Sequence, residues 1–372
     1  MILQLLALAT TLLTPPPPLV FKGPIVQQVT TTSAKLLWEA TDKGPFKVII
    51  GSEAGRRDIP IEATGPFPAM VSVPIEGLKP GSTYTWGLLG GTPERPIKQG
   101  TVTTQGPSNR PFTFMVYGDN RSDHRAHTGV VEAMAKEKAD FWINTGDLVA
   151  VGARPRDWQI FFAIEGRHLA STPMWPVIGN HEVVGQGHRL FQRYFDLPGN
   201  ELYYAMTWGN VRFVFIDTYV HVDQGAPNAA QQAFLLEEVE KAKADPKIDH
   251  IIGVAHAGPY SSNPHRHGNP PLRPLLKKLK AAGMKALLAG HDHFYERGTT
   301  DDGLPYLVVG CGGAPLYPTV GPGKHDGYTA HASRSTYGYV RMHSAGPVLK
   351  GCAVDLDGTA FDCFSISGAP AP

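Results

Sequence analysis

Cysteine is scarce in this chain, 3 among 372 residues, which excludes a small disulfide-stapled scaffold. Excess charge is missing as well: 34 Lys and Arg stand against 33 Asp and Glu. With no basic block, nothing marks nucleic acid or an anionic membrane as a partner. Internal repeats are absent, so a solenoid is excluded. No transmembrane segment is expected, because the N-terminal apolar run of about a dozen residues is too short to span a bilayer. What is present is ordinary globular material, 42% hydrophobic, in a chain long enough for one large domain and a smaller one. Glycine (41) and proline (33) point to many loops, and 15 histidines raise the question of clustering.

The opening "MILQLLALATTLLTPPPPLV" suits a secretory leader over residues 1–20 and a secreted or periplasmic product. Against this, no Lys or Arg precedes the apolar run, and Ala7-Leu8-Ala9 comes early for cleavage. A buried N-terminal segment is the alternative. Near the other end, "CAVDLDGTAFDC" alternates around Asp357-Gly358, a two-residue hairpin signal. If those residues form the turn, Cys352 falls opposite Cys363, within disulfide range. Cys311 is left over and expected to be buried.

Residues 22–107 hold short β segments ("AKLLWEA", "FKVIIGS", "AMVSVPI", "STYTWGLL", "KQGTVTT") between Gly, Pro and Asp turns. They predict a seven-strand sandwich. "GLKPGSTYTWGL", with Trp38 before it, resembles a fibronectin type III module. From 108 to 372 the texture is α/β. Strands are predicted at 112–117, 140–144, 174–178, 211–217, 249–255, 284–289 and 305–310. Helices are predicted at 128–138, 156–168, 229–244 and 272–282, and residues 338–366 return to hairpins.

Five polar knots follow the C-terminal ends of these strands, where open α/β sheets place their ligands. They are "YGDNR" (Asp119), "NTGDLV" (Asp147), "IGNHE" (Asn180, His181), "GVAHAGPY" (His256) and "AGHDHFYER" (His291, His293). Each alone reads as a turn or a satisfied buried histidine. Together, two carboxylates, one amide oxygen and three imidazoles suit two divalent cations. The glycines beside these residues are expected to let the backbone turn tightly.

The order Gly-Asp, Gly-Asp, Gly-Asn-His-Glu, strand-end His and Gly-His-x-His resembles the calcineurin-like metallophosphoesterases. "GHDHFYER" behind a β-sandwich is similar to the purple acid phosphatase branch. The resemblance implies a four-layer α/β/β/α catalytic domain and a hydrolase in which water activated by two cations attacks phosphorus. It further implies Asp147 bridging the ions, Asp119 and His293 on the first, and Asn180, His256 and His291 on the second. His181 would assist the leaving group. In "HAGPYSSNPHRH", His265 matches the first of a substrate-facing histidine pair, and Arg266 replaces the second.

Two departures from that branch stand out. Its iron-binding tyrosine, three residues after the bridging aspartate, is here Ala150, which favours Mn, Zn or ferrous iron over a stable ferric ion. Relatives with Asp-x-His in the first motif place a histidine where Arg121 stands. The first cation thus has three evident ligands; His124 and His127 are candidates for a fourth, His127 the preferred one, with water as the alternative. Arg121 is expected either to neutralise developing charge or to pair with an aspartate. A small phosphomonoester is the first expectation for substrate, a phosphodiester the second. A binding or adhesion protein with an inactive phosphatase-like domain is the alternative of another class.

Overall fold

The computed structural model describes residues 20–52 and 55–367. The expected leader lies outside the described residues, apart from Val20, which opens the first strand. Seven strands follow between Val20 and Thr103, and among the described residues no helix interrupts them. They form two antiparallel sheets. One joins Val20–Gln27, Ser33–Ala40 and Ala69–Glu76. The other joins Gly55–Ile61, Phe46–Ser52, Thr83–Gly90 and Arg95–Thr103 in that order. Strict alternation in Ala69–Glu76 turns Val71, Val73 and Ile75 inward, onto a core holding Trp38, Val48 and Trp86.

Two larger mixed sheets follow. In the first, Met174–Pro176, Phe141–Asn144 and Phe112–Tyr117 run parallel, and the hairpin strands Gly338–Ala345, Val348–Asp355 and Ala360–Ser367 extend it antiparallel. In the second, Val211–Ile216, His250–Ala257, Ala286–Gly290 and Pro305–Val309 are parallel at the centre. The sheets meet through Phe114 and Phe141, which approach Phe213 edge-on at 5.3 and 5.7 Å. Helices Ala229–Ala244 and Arg273–Ala282 cover the second sheet through Leu235, Val239, Leu275 and Leu279. Helices His124–Ala135 and Pro155–Leu169 cover the first, which completes the four expected layers. The parallel strands are buried on both faces, hence their unbroken apolar runs.

The sandwich is bonded to the catalytic layers at one helix end. The last carbonyls of Pro155–Leu169 lack partners within the helix. Trp86 Nε1 donates to Ala170 O at 2.9 Å and Lys98 Nζ to Gly166 O at 2.8 Å. Nearby, Asp196 accepts from Lys35 Nζ at 2.9 Å and from Ser72 Oγ at 3.0 Å.

The sequence misses Tyr295–Thr300 and Tyr328–Arg334, two paired strands of the second sheet. "YERGTT" hides its strand because the buried Glu296 sits where alternation calls for an apolar residue; Tyr306 Oη donates to it at 2.6 Å. The disulfide joins Cys352 to Cys363 as the register requires, while Cys311 is free and buried. The turn is longer than two residues, since Asp355 N donates to Thr359 O. Val354 pairs with Ala360 but Ala353 with Asp362, so a bulge at Phe361 restores the register. Replacing both cysteines by serine should cost about 3 kcal/mol, given a separation of 11 residues. Thermal unfolding reads this as a lower midpoint; identical midpoints for oxidised and reduced protein would refute it.

Candidate metal centre

All five knots meet at the carboxyl ends of the parallel strands. Asp119 and Asp147 follow Phe112–Tyr117 and Phe141–Asn144, and Asn180 follows Met174–Pro176. His256 closes His250–Ala257, and His291 follows Ala286–Gly290. Of the glycines directly preceding Asp119, Asp147, Asn180 and His291, only Gly146 makes a left-handed turn, with φ 98°. The left-handed conformation falls instead on Asp119 (φ 54°), Asp147 (56°) and His291 (71°). The other glycines serve close approach. A Cβ on Gly290 would lie 2.5 Å from Asp119 Oδ2, and one on Gly179 would overlap Asp147 Oδ1.

Ligand atoms of Asp119, Asp147 and His293 lie within 4.8 Å of one another, all buried. His293 Nδ1 donates to Pro315 O at 2.7 Å, which leaves a lone pair on Nε2. That atom faces Asp119 Oδ1 at 3.5 Å, a buried oxygen that accepts no hydrogen bond. Across Asp147 the pattern repeats. His256 Nδ1 donates to Thr145 O at 2.7 Å. Its Nε2 then faces Asn180 Oδ1 at 3.2 Å, Asp147 Oδ1 at 3.3 Å and His291 Nδ1 at 3.2 Å. His293 Nε2 at Asp119, and His256 Nε2 at Asn180 and Asp147, are acceptors aimed at acceptors in a buried site, which requires a cation or a proton between them. The donor set therefore fits the metal ions that the fold implies.

The electrostatics agree. Burial disfavours charge on His256, but Asp147 and Asp119 outweigh it and raise the imidazole to about 9. Burial opposes ionisation of Asp147 too, yet His256 and His181 hold it well below the usual carboxylate range. Burial, then the charges of His256 and Arg266, lower His291 to about 3. Its ring stays neutral and able to ligate.

The remaining expected residues divide. His181 Nδ1 donates to Ala150 O at 2.6 Å and turns Nε2 toward Asp147 Oδ2, 3.8 Å away. Arg121 Nε donates to Asp147 Oδ2 at 3.2 Å, and its Nη2 lies 3.5 Å from His293 Nε2. Arg121 thus pairs with an aspartate, and that aspartate belongs to the cluster itself. His127 does not join the cluster. Asp123 caps the helix, which starts at His124 and not at 128, and places His127 on the inner face with Val130 and Val131. Its Nε2 bonds Glu165 Oε1 at 2.7 Å. His265 does not reach the cluster either: it is exposed and contributes its backbone N–H to Asn263 Oδ1. Arg266 reaches it instead, contacting His291 Nε2.

Glu182 was within the quoted Gly-Asn-His-Glu yet had no role. It is fully buried and accepts from the backbone N–H of Asp147, Gly179 and Val149 at 2.9, 2.9 and 3.1 Å. Burial and Asp147 push it up to about 8, against three donors that favour its ionised form. Tyr219 (ring centre 5.7 Å from His256) and Tyr317 (4.0 Å from His293) also had no motif to reveal them. Beside Ala150 a cavity of about 280 Å³ opens between Arg121, His124, His127 and Phe161.

Stacked mixed sheets between helices, with these donors at the strand ends, define a metal-dependent phosphoric ester hydrolase. Residues 112–295 match the family model of the calcineurin-like phosphoesterases. In fold, the chain is similar to purple acid phosphatase from yellow lupin (Lupinus luteus) seeds. The TM-score is 0.79 at 19% identity, covering 93% of this chain and 74% of that one. It is also similar to PhoD (0.71, 14%, covering 94% and 91%). A dimetal phosphatase from Danio rerio (0.51, 16%) matches 69% of this chain and 99% of its own. No curated protein matches the chain.

Glu182→Gln turns an amide N–H₂ toward backbone donors and should cost about 2–3 kcal/mol, read by thermal unfolding. Unchanged stability would remove Glu182 from the framework. Asn180→Ala should lower bound metal by one equivalent in elemental analysis, whereas wild-type stoichiometry would refute the ligand assignment.

Proposed function

We propose that the chain is an exported phosphomonoesterase. Asp119, Asp147 and His293 would hold one divalent ion, and Asp147, Asn180, His256 and His291 would hold the other. The observation that carries the monoester reading is that two guanidiniums, Arg121 and Arg266, touch the candidate ligands from different loops. A monoester dianion carries one more negative charge than a diester and offers a further oxygen to such donors. Bound divalent ions supply an activated water at neutral pH and charge neutralisation. The chain's own residues position the phosphoryl group through Arg121 and Arg266. His181, its Nδ1 committed to Ala150 O, offers a proton on Nε2 to the leaving oxygen when protonated.

Export is supported by the leader-like opening and by the Cys352–Cys363 disulfide. Residues 22–107 serve as the fibronectin-like unit and 108–372 as the catalytic one. Ala150 offers no phenolate, so Mn, Zn or ferrous iron is the expected occupant.

Hydrolysis of p-nitrophenyl phosphate should exceed that of bis(p-nitrophenyl) phosphate, with both lost to a chelator and restored by Mn or Zn. A preference for the bis ester would establish the diesterase instead. No turnover of either after metal addition would leave a binding protein. The metal-loaded protein should lack visible colour; a purple band would overturn the inference from Ala150.

A further inference from the structure

Between His291 and His293 stands Asp292, which the proposed hydrolysis does not use. Its carboxylate is 2% exposed, a costly burial unless a cation pairs with it. Ser261 gives the carboxylate a side-chain hydrogen bond, and the cation beside it is Arg266, whose Nε contacts Asp292 Oδ1 and whose Nη2 contacts His291 Nε2. The guanidinium lies 5.3 Å from the ring centre of Tyr317, within cation–π range. That ring stacks on His293 with 20° between the planes. The loop carrying Arg266 is itself pinned. Ser262 N donates to Glu296 Oε2 and Asn263 Nδ2 to Pro318 O, both at 2.9 Å. Arg266 is held on several sides, yet 32% of its side chain stays exposed beside the cluster.

Charge and proton bookkeeping give this arrangement a purpose. A guanidinium next to divalent ions is repelled unless a carboxylate offsets its charge, and Asp292 is placed to do so. His291 turns Nδ1 toward the cluster. When Nδ1 gives its lone pair to a cation, the ring proton sits on Nε2, which can no longer accept from Arg266. Nη2 is then released to another acceptor while Nε stays on Asp292.

With Arg266 on the phosphoryl group as in the proposed hydrolysis, we propose that Asp292 is the positioning residue that aims the guanidinium, with Tyr317 as its backing. The proposal rests on the phosphoesterase reading, and inorganic phosphate tests it separately. By calorimetry on the metal-loaded protein, Arg266→Ala should weaken phosphate binding about 10–100-fold. Asp292→Asn should weaken it by a smaller factor at unchanged metal content, and Arg266→Lys should recover part of the loss. In ester hydrolysis, Arg266→Ala and Asp292→Asn should raise KM for p-nitrophenyl phosphate more than for the bis ester. The double variant Arg266→Ala/Asp292→Asn should bind phosphate no more weakly than Arg266→Ala alone, because Asp292 acts through Arg266. Wild-type phosphate affinity in Asp292→Asn, or penalties that multiply in the double variant, would overturn the proposal. Wild-type protein that binds phosphate but hydrolyses neither ester would sink the phosphatase reading and leave the Arg266–Asp292 assignment standing.

Discussion

Lone pairs aimed at lone pairs are the constraint on which the rest of this structure depends. His293 Nε2 against Asp119 Oδ1, and His256 Nε2 against Asn180 and Asp147, are contacts that hold only with a cation or a proton between them. They persist because each ring is fixed from behind by a carbonyl, Pro315 for one and Thr145 for the other. Those carbonyls fix which nitrogen is free, so the cluster is prepared for positive charge before any arrives. Preparation of this kind has a folding cost, offset by the burial of the two sheets and their helices.

Part of that offset comes from a region with no ligands. The sandwich caps the carboxyl end of Pro155–Leu169 through Trp86 and Lys98. The same helix carries Glu165, which binds Tyr117 Oη at 2.6 Å as well as His127. Asn120, next to Asp119, lies 3.2 Å from the same His127 nitrogen and donates to Leu148 O. A chain of polar contacts thus runs from the sandwich to the loops of the first and second motifs. His127 matters here as a brace beneath the site.

How much of this was legible follows from what each residue does. Strands buried on both faces announced themselves as apolar runs, and Phe112–Tyr117 and Ala229–Ala244 matched to the residue. Asp119, Asp147, Asn180 and His291 stood out as candidates because glycine next to a polar residue at a strand end is a local pattern. His127 was misread because helical phase, set by the cap at Asp123, decides where it points. His265 was misread because neighbours in a loop can exchange roles; one residue on, Arg266 is the one that turns inward. Glu182 and Asp292 meet partners 35 and 26 residues away, and Tyr317 meets His293 through a stacking contact. No spacing within one segment could have shown that.

The left-handed backbone at Asp119, Asp147 and His291 has a consequence for the chemistry this scaffold could ever adopt. Aspartate, asparagine and histidine are the side-chain-bearing residues that tolerate this conformation best. Glutamate or cysteine would also bind a cation, but they would have to be placed against the grain of the chain. The repertoire of ligands at these corners is therefore narrowed by φ before any metal preference is expressed. A redesign toward a softer, thiolate-rich centre would have to rebuild the turns first and the donors second.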